Sequence, residues 1–498
     1  MFRKVVIHLI RTLLVVSLTG GIVTSPGAVD LPERVEFSLA HASEQASSLL
    51  YLPITLKGSA KTTIFGLEMR NISGQEKINA VTAADTEWVR RNGLIWSNVE
   101  PIEGTYIWNS QASLEQELIT AYENGLRVIL VVRSTPEWAQ EDKDSYCGPI
   151  KENKLAAFSE FLYQAVKRYS VPPYNVKYWE IWNEQEIDHE LVLEGRLAND
   201  SQYGCWGDTN DPYAGGGDYA EVLKAVYPKI KNANPGAQVI VGGMLMMCNP
   251  EINENCISNE INYFEGILRH HEAYDGGNYF DVVAFHAYDY YFGRLGIYGN
   301  TWWKSGWNSQ LTLTKKADFL RSVMERYNID KPLMVTETAL LCGYYGTEPM
   351  CALPDFENTK AAYVAQSYAS ALASGIKANI WYSLTGSWRA NQLLDSELNP
   401  LPAYYAYSTV VNSLEDVSFS RELNEYPDVN GYEFKYANHL IWFVWSRVSD
   451  RHQNVSPVQM DLPATPLKIW DMFGQNVPVE GPSITVTGMP LYIELSIP

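Results

Sequence analysis

Short apolar runs alternate with longer amphipathic stretches along the chain from residue 62 onward, and each apolar run is rich in β-forming residues and followed by a polar loop. The apolar runs are Thr63–Met69, Trp88–Trp96, Arg127–Val132, Val176–Trp182, Gln238–Met244, Phe280–Tyr288, Pro332–Thr338 and Ala378–Leu384. The amphipathic stretches include Ala112–Asn124, Leu155–Tyr169, Tyr219–Asn232, Glu260–His271, Thr312–Tyr327 and Asn358–Ser374. This alternation predicts an α/β fold, a (β/α)₈ or TIM barrel. A doubly wound sheet is the alternative, but no glycine-rich phosphate turn follows the first run.

The pattern changes after Val417, where helical periodicity stops. The short alternating runs that follow are Tyr432–Tyr436, Leu440–Ser446, Leu467–Asp471, Ser483–Thr487 and Leu491–Ser496. They predict a small antiparallel, β-sandwich-like C-terminal domain. The predicted organisation is a signal peptide or N-terminal anchor at 1–28, a linker at 29–61, the barrel at 62–415 and the β domain at 416–498.

The N-terminus resembles an export signal. Arg3 and Lys4 precede an apolar stretch, Val5–Val23, whose strongest part, Leu13–Leu18, is too short to span a bilayer. We therefore expect a secreted or extracytoplasmic protein. An uncleaved membrane anchor, acting as a tether through this segment, is the alternative.

The chain has six cysteines and no C-x-x-C pair, which disfavours a zinc or redox site. An even number of cysteines behind an export signal predicts disulfides, with six free thiols as the alternative. All six follow predicted barrel strands, and the loops after strands 3 and 4 are neighbours. The favoured pairs are Cys147–Cys205, Cys248–Cys256 and Cys342–Cys351.

The formal net charge is −20, from 38 basic and 58 acidic residues, and such a surface repels phosphate backbones. A nucleic-acid partner is therefore disfavoured. Aromatic residues reach 12% of the chain, with 32 Tyr and 15 Trp. Aromatic side chains without basic patches suit a neutral ring-shaped ligand, and a sugar presents apolar C–H faces to them. A carbohydrate is the predicted partner, while the sequence does not define an oligomeric state.

Two glutamates lie where predicted barrel strands end. Strand 4 ends in WEIWNE with Glu184, and strand 7 ends in VTET with Glu337. Catalytic groups of such barrels lie at the C-terminal ends of strands. Cleavage of a glycosidic bond needs two carboxyl groups across the bond, one protonated and one ionised, with pKa values moved apart by their surroundings. A structural salt bridge is the alternative for either glutamate alone.

This arrangement, Asn-Glu after strand 4 and Glu after strand 7, resembles glycoside hydrolase clan A, the retaining (β/α)₈ glycosidases. The resemblance covers residues 62–415. It implies that Glu184 is the general acid/base, that Glu337 is the nucleophile and that Asn183 binds the substrate 2-hydroxyl. The WEIWNE string is most similar to family 39 β-xylosidases and iduronidases and to some family 5 members. The string TETAL departs from family 39, where an aromatic residue commonly follows the nucleophile.

Strand 6 ends in FHAY, and strand alternation places His286 and Tyr288 on one face, toward the barrel axis. The resemblance implies that both touch the sugar and the nucleophile, and that Tyr288 donates to Glu337 and keeps it ionised. A buried core histidine is the alternative for His286.

The resemblance also implies aromatic contacts with the substrate. Trp381 in strand 8 is expected to form the floor of the sugar site, with Trp388 as the runner-up. Trp138, after strand 3, is expected to contact the substrate, with core packing as an equal alternative.

Members of the clan carry an arginine near strand 2 that braces the nucleophile or the strand of the acid. Arg90 and Arg91 compete for this position, and counting back from Trp96 favours Arg91. Glu180 is expected to lie inside the barrel and to pair with this arginine.

The sequence thus predicts a retaining glycosidase that cleaves a β-linked oligo- or polysaccharide by double displacement, with carboxyl groups about 5–5.5 Å apart. No cofactor or metal is required. The alternatives are a transglycosylase that uses the same residues and a non-catalytic carbohydrate-binding barrel.

Overall fold

A computed structural model of the chain describes residues 63–141, 145–188, 204–247, 249, 259–300, 302, 311–447 and 455–497. Eight parallel strands, each hydrogen-bonded to the next and the last to the first, close into a barrel, so the predicted fold is confirmed. The strands are β1 Phe65–Glu68, β2 Trp88–Ile95, β3 Arg127–Arg133, β4 Tyr178–Asn183, β5 Gln238–Met244, β6 Val282–Tyr291, β7 Leu333–Cys342 and β8 Asn379–Trp381. A two-residue strand, Tyr298–Gly299, pairs with the end of β6.

Among the described residues, one helix of nine residues or more follows each barrel strand, and a short helix, Trp96–Val99, also follows β2. The helices are α1 Gln75–Ala83, α2 Ala112–Glu123, α3 Leu155–Tyr169, α4 Gly216–Ala233, α5 Tyr263–Tyr274, α6 Thr312–Arg326, α7 Pro354–Ala373 and α8 Pro402–Leu414. Helix α3 shows why they pack: Phe158, Phe161, Leu162 and Ala165 recur at helical spacing and are fully buried against the barrel. An outer apolar layer, made of such side chains, therefore lies between the strands and the ring of helices.

The N-terminal half of the barrel interior is a separate apolar layer. Its buried side chains are Trp88, Ile129, Ile240, Val282, Ala284, Met334, Ala378 and Ile380. The layer is packed so closely that a Cβ on Gly66 would lie 2.3 Å from the Ile380 Cδ1 and 2.7 Å from the Trp88 Cβ. This layer closes the bottom of the barrel, so the inward positions nearer the strand ends are left for polar side chains.

The C-terminal residues form two antiparallel sheets around their own apolar core, as the sequence predicts. The strands are β9 Ser418–Glu422, β10 Val429–Tyr436, β11 His439–Ser446, β12 Val458–Asp461, β13 Lys468–Asp471, β14 Ser483–Val486 and β15 Leu491–Ser496. The larger sheet has the order β9-β10-β11-β15-β13, and β12 pairs with β14. Hydrogen bonds from Tyr432 to Ser370 in α7 and from Trp470 to Ser413 in α8 join the sheets to the barrel helices.

Two of the three predicted disulfides are confirmed, Cys147–Cys205 and Cys342–Cys351. The pair Cys248–Cys256 lies outside the described residues, as do the predicted signal or anchor at 1–28 and the linker at 29–61. In the part of the chain that the structure describes, none of the helices combines the length and the apolar character needed to cross a bilayer.

Candidate active site

One buried arginine of β2 links side chains of three other barrel strands, β1, β4 and β7. Arg90 of β2 is fully buried and contacts four side chains. Its Nη1 donates to Glu68 at 2.6 Å and to Glu337 at 2.5 Å. Its Nε and Nη2 donate to Glu180 at 2.9 and 3.0 Å, and Nη2 also donates to Asn183 at 2.5 Å. The predicted pairing of Glu180 with the strand 2 arginine is thus confirmed.

The prediction that favoured Arg91 for this position is wrong. Arg91 lies on the outer face of β2 and pairs with Glu117 of α2 at 2.6 Å. The count back from Trp96 assumes unbroken alternation, but the register of β2 against β3 shifts between Asn92 and Leu94. Such a bulge adds one residue to the count and exchanges the two faces of the strand.

Glu184 and Glu337 face each other at close range across the barrel mouth. One carboxylate oxygen of each, together with a ring nitrogen of His286, lies within 4.8 Å of the others. His286 Nδ1 is 2.8 Å from a Glu184 oxygen and 3.6 Å from a Glu337 oxygen. The two carboxyl groups are thus closer together than the gap, about 6.5–9.5 Å, that inverting glycosidases leave between theirs.

The backbone at the end of β4 breaks the strand alternation. Trp182 has φ 73° and Glu184 has φ 47°, both in the left-handed region. Asn183 therefore stays on the inner side with Arg90, while Glu184 turns toward the mouth and its N–H donates to the Gly243 carbonyl at 2.9 Å. Non-glycine residues in this region are uncommon, and they cluster at functional sites.

Both oxygens of Glu337 accept hydrogen bonds from fixed donors. Arg90 donates to one, and the Tyr288 hydroxyl donates to the other. Burial raises the pKa of Tyr288 well above its ordinary value, so the hydroxyl stays protonated and remains a donor. The contact predicted between Tyr288 and Glu337 is therefore present.

Burial moves the pKa of both carboxyl groups into the neutral range. It raises the pKa of Glu184 to about 7 and that of Glu337 to about 7, and Arg90 opposes the rise in both. Both groups therefore titrate near neutral pH, and the charge of Glu184 adds to the rise in the pKa of Glu337. Glu337 receives the charged donor Arg90, whereas Glu184 meets His286, whose pKa burial lowers to about 4. We therefore place the proton on Glu184.

Lys316 of α6 lies behind the site and was not found from the sequence. Its ammonium donates to the Leu245 carbonyl at 2.5 Å and the His286 carbonyl at 2.9 Å, so it joins the ends of β5 and β6. Burial lowers its pKa to about 8. One feature of the sequence could have predicted that Lys316 is buried. Leu313 and Leu320 flank it at helical spacing, which places it on the buried face of the helix.

Glu184, His286 and Glu337 offer three potential ligand atoms for a metal ion. The set fits a divalent cation poorly, because Arg90 already contacts Glu337 at 2.5 Å and supplies the positive charge there.

The structure places Trp381 away from the carboxyl pair, so the prediction that it forms the floor of the sugar site is wrong. Ile380 points into the barrel, and Trp381 therefore points outward, where it is fully buried near Tyr363. Tyr382 is the next inward position. Its ring lies 6.3 Å from that of Tyr288, and the Trp388 ring lies 5.6 Å from each of the two. Tyr382 and the runner-up Trp388 form the aromatic wall beside the carboxyl pair.

Trp138 packs at the rim of the barrel. Its ring lies edge-on to Trp96 at 5.4 Å, and its Nε1 donates to the Glu100 carbonyl at 2.9 Å. These contacts favour the packing alternative over a contact with the substrate.

Removing the Arg90 side chain should be strongly destabilising. We expect Arg90→Met to lower the free energy of unfolding by about 3–5 kcal/mol, because Glu68, Glu180 and Glu337 would remain buried without their cation. Urea unfolding of the variant and the wild type measures the difference. Arg91→Met is the matched control with a single ion-pair partner, and an equal or larger loss in that control would contradict the assignment to Arg90.

Solved structures of other proteins share this fold. A family 39 glycoside hydrolase from the gut symbiont Bacteroides cellulosilyticus WH2 aligns with TM-score 0.63 and 17% identity over 88% of this chain and 81% of that chain. A GH30 endoxylanase from Clostridium papyrosolvens C71 aligns with TM-score 0.56 and 12% identity over 88% and 98%. A conserved exported protein from Bacteroides fragilis aligns with TM-score 0.54 and 13% identity over 88% and 99%.

At these identities the likeness establishes a common fold, a (β/α)₈ barrel followed by a β domain. The fold that the resemblance to clan A implies is thus confirmed. No protein-family model matches the sequence, and no curated protein matches it.

Proposed function

We propose that the chain is a retaining glycoside hydrolase that cleaves O-glycosidic bonds in a β-linked oligo- or polysaccharide. The observation that carries this proposal is the Glu184–Glu337 pair. Oxygens of the two carboxyl groups lie within 4.8 Å of each other at the barrel mouth, and each carboxyl has different hydrogen-bond partners. The shared fold supports the class, because structures described as a glycoside hydrolase and an endoxylanase align over most of their length.

In the first step, Glu337 attacks the anomeric carbon while Glu184 gives its proton to the leaving oxygen. The C–O bond to the leaving group breaks, and a covalent bond forms between Glu337 and the sugar. Arg90 and Tyr288 fix the carboxylate and favour its ionised form before the attack. Their bonds to the two oxygens also orient the nucleophile, which lowers the entropic cost of reaching the transition state.

In the second step, the ionised Glu184 removes a proton from water, and the resulting attack releases the sugar from Glu337 with retained configuration. Asn183 accepts a hydrogen bond from Arg90 through Oδ1, which orients its amide N–H₂ group as a donor. We assign this group to the 2-hydroxyl of the sugar in the transition state.

We also propose that the protein acts outside the cytoplasm. Two disulfides cross-link loops at the barrel mouth, and disulfides persist in oxidising compartments. The exported protein from Bacteroides fragilis with the same fold is consistent with this location. Residues 1–28 would supply the signal or the anchor, and 29–61 the linker to the barrel.

Hydrolysis of a panel of aryl β-glycosides tests the proposed function. We expect release of the aryl group from at least one sugar of the panel, with the first sugar product in the β configuration. Release from none, in assays at several pH values and enzyme concentrations, would contradict the proposal.

The pH dependence of kcat/KM should be a narrow bell near neutrality. As the pH falls, Glu337 gains a proton and can no longer attack. As the pH rises, Glu184 loses its proton and can no longer protonate the leaving oxygen. Because burial raises the pKa of each to about 7, the two limbs should lie close together. Initial rates of aryl glycoside hydrolysis across the pH range measure the profile. A rate independent of pH between acid and alkaline values would contradict this assignment.

A further inference from the structure

The loop that follows β7 displays two tyrosines to solvent. Residues 343–350 form this loop, and the disulfide Cys342–Cys351 closes it. Tyr344 and Tyr345 are 74% and 73% exposed, and their rings meet edge-on with centroids 4.7 Å apart. The fold gains little core packing from side chains this exposed, so another role is expected for them.

The loop is held rigid by its own contacts. The Glu348 carboxylate accepts the backbone N–H groups of Tyr344 at 2.6 Å and Tyr345 at 2.9 Å. These backbone hydrogen bonds lower the pKa of Glu348 to about 2, so its carboxylate stays ionised and keeps accepting both N–H groups at neutral pH. Together with the disulfide across the base of the loop, these bonds restrain the backbone from which both rings project. A fixed surface loses little conformational entropy when it binds a ligand.

Trp388 and Arg389 connect the two tyrosines to the aromatic rings beside the nucleophile. Trp388 is 44% exposed and lies 5.6 Å from Tyr288, which donates to Glu337. The next residue, Arg389, donates to the Gly343 carbonyl at the start of the loop.

The guanidinium of Arg389 lies between an aromatic ring of the barrel and an aromatic ring of the loop. The Arg389 guanidinium carbon lies 4.9 Å from the ring centroid of Tyr290 in β6 and 5.9 Å from that of Tyr344. The loop begins beyond Cys342, five positions after Glu337 in β7, which corresponds to about 17 Å along an extended strand. That distance exceeds the size of one sugar ring.

We propose that Tyr344 and Tyr345 form a distal subsite that stacks on sugar rings of a polymeric substrate, beyond the sugar at the cleaved bond, which Trp388 borders. This inference rests on the proposed function and defines the substrate as a chain of several sugars. The occupant is a neutral glycan, because aromatic faces bind apolar C–H faces and the net charge of −20 repels polyanions. The subsite is connected to the carboxyl pair through Trp388 and Tyr288. A bound glycan would therefore run along the barrel mouth.

Affinity electrophoresis with an inactive background tests the subsite separately from catalysis. Glu337→Ala and the same variant carrying Tyr344→Ala and Tyr345→Ala are run in gels that contain xylan, glucomannan, xyloglucan or mixed-linkage β-glucan. We expect at least one polymer to retard the first protein, and the two tyrosine substitutions to raise the apparent Kd about tenfold or more. Tyr122→Ala, which removes a tyrosine 41% exposed on α2, is the matched control and should keep the retardation.

Retardation that survives the loss of both tyrosines would overturn the proposal, and so would a protein that none of the four polymers retards. The aryl glycoside assay separates this failure from failure of the proposed function, since a short substrate does not reach the loop. In the active protein, the double tyrosine variant should lower the ratio of kcat/KM on the polymer to kcat/KM on the aryl glycoside. An unchanged ratio would also contradict a distal subsite.

Discussion

Replacement of Glu337 by alanine is expected to reduce kcat on the preferred aryl β-glycoside by about 10⁴-fold or more. The substitution removes the atom that attacks the anomeric carbon, while Glu68 and Glu180 remain bonded to Arg90. Initial rates of aryl group release by the wild type and the variant measure the effect.

Added azide distinguishes loss of a nucleophile from loss of structure. A small anion can enter the space of the Glu337 carboxylate, where Arg90 supplies a positive charge, and attack the anomeric carbon directly. We therefore expect azide to restore activity to Glu337→Ala and to give a glycosyl azide of inverted configuration. A variant that retains near wild-type activity, or a product of retained configuration, would contradict the role of Glu337.

Replacement of Glu184 by alanine is expected to give a loss that depends on the leaving group. A poor leaving group needs the proton of Glu184, so its rate should fall by about 10²–10⁴-fold. For an activated aryl group, which leaves without protonation, the formation of the glycosyl-enzyme should be less affected and its breakdown should become limiting. The alkaline limb of the pH profile should also disappear, because burial raises the pKa of this group to about 7 and it causes that limb.

Glu186 provides the matched control for both glutamates. It lies two residues after Glu184, it is buried, and burial raises its pKa to about 8, but its carboxylate accepts the Met246 N–H at 2.9 Å. We expect Glu186→Gln to keep both the leaving-group dependence and the alkaline limb of the wild type. Loss of the alkaline limb in Glu186→Gln, with the limb intact in Glu184→Ala, would transfer the acid role to Glu186.

The fold and the two glutamates could be predicted from the sequence because their signals are local. Barrel strands are buried on both faces and read as continuous apolar runs, as in Gln238–Met244, whose predicted and observed bounds agree. Strands without that signal were missed. Ser418–Glu422 is mostly exposed and pairs along one edge only, so no apolar pattern marks it.

The errors at the site arise where strand alternation is broken or where the chain leaves a strand. The bulge in β2 exchanged Arg90 and Arg91, and the resemblance placed the aromatic floor at Trp381, one residue before the inward Tyr382. Such shifts depend on one backbone angle or one added residue, which residue types alone do not specify. Lys316 reaches the site from a helix, and its contacts depend on tertiary packing.

Trapping of the covalent intermediate tests the central claim most directly. The enzyme is incubated with the 2-deoxy-2-fluoro glycoside of the sugar that it hydrolyses, because the fluorine slows both steps and a good leaving group lets the first proceed. Peptide mass spectrometry of the inactivated protein should find one glycosyl group on the peptide that contains Glu337, and the Glu337→Ala variant should remain unlabelled. A label on another carboxylate, or hydrolysis with inverted configuration and no label, would contradict the account.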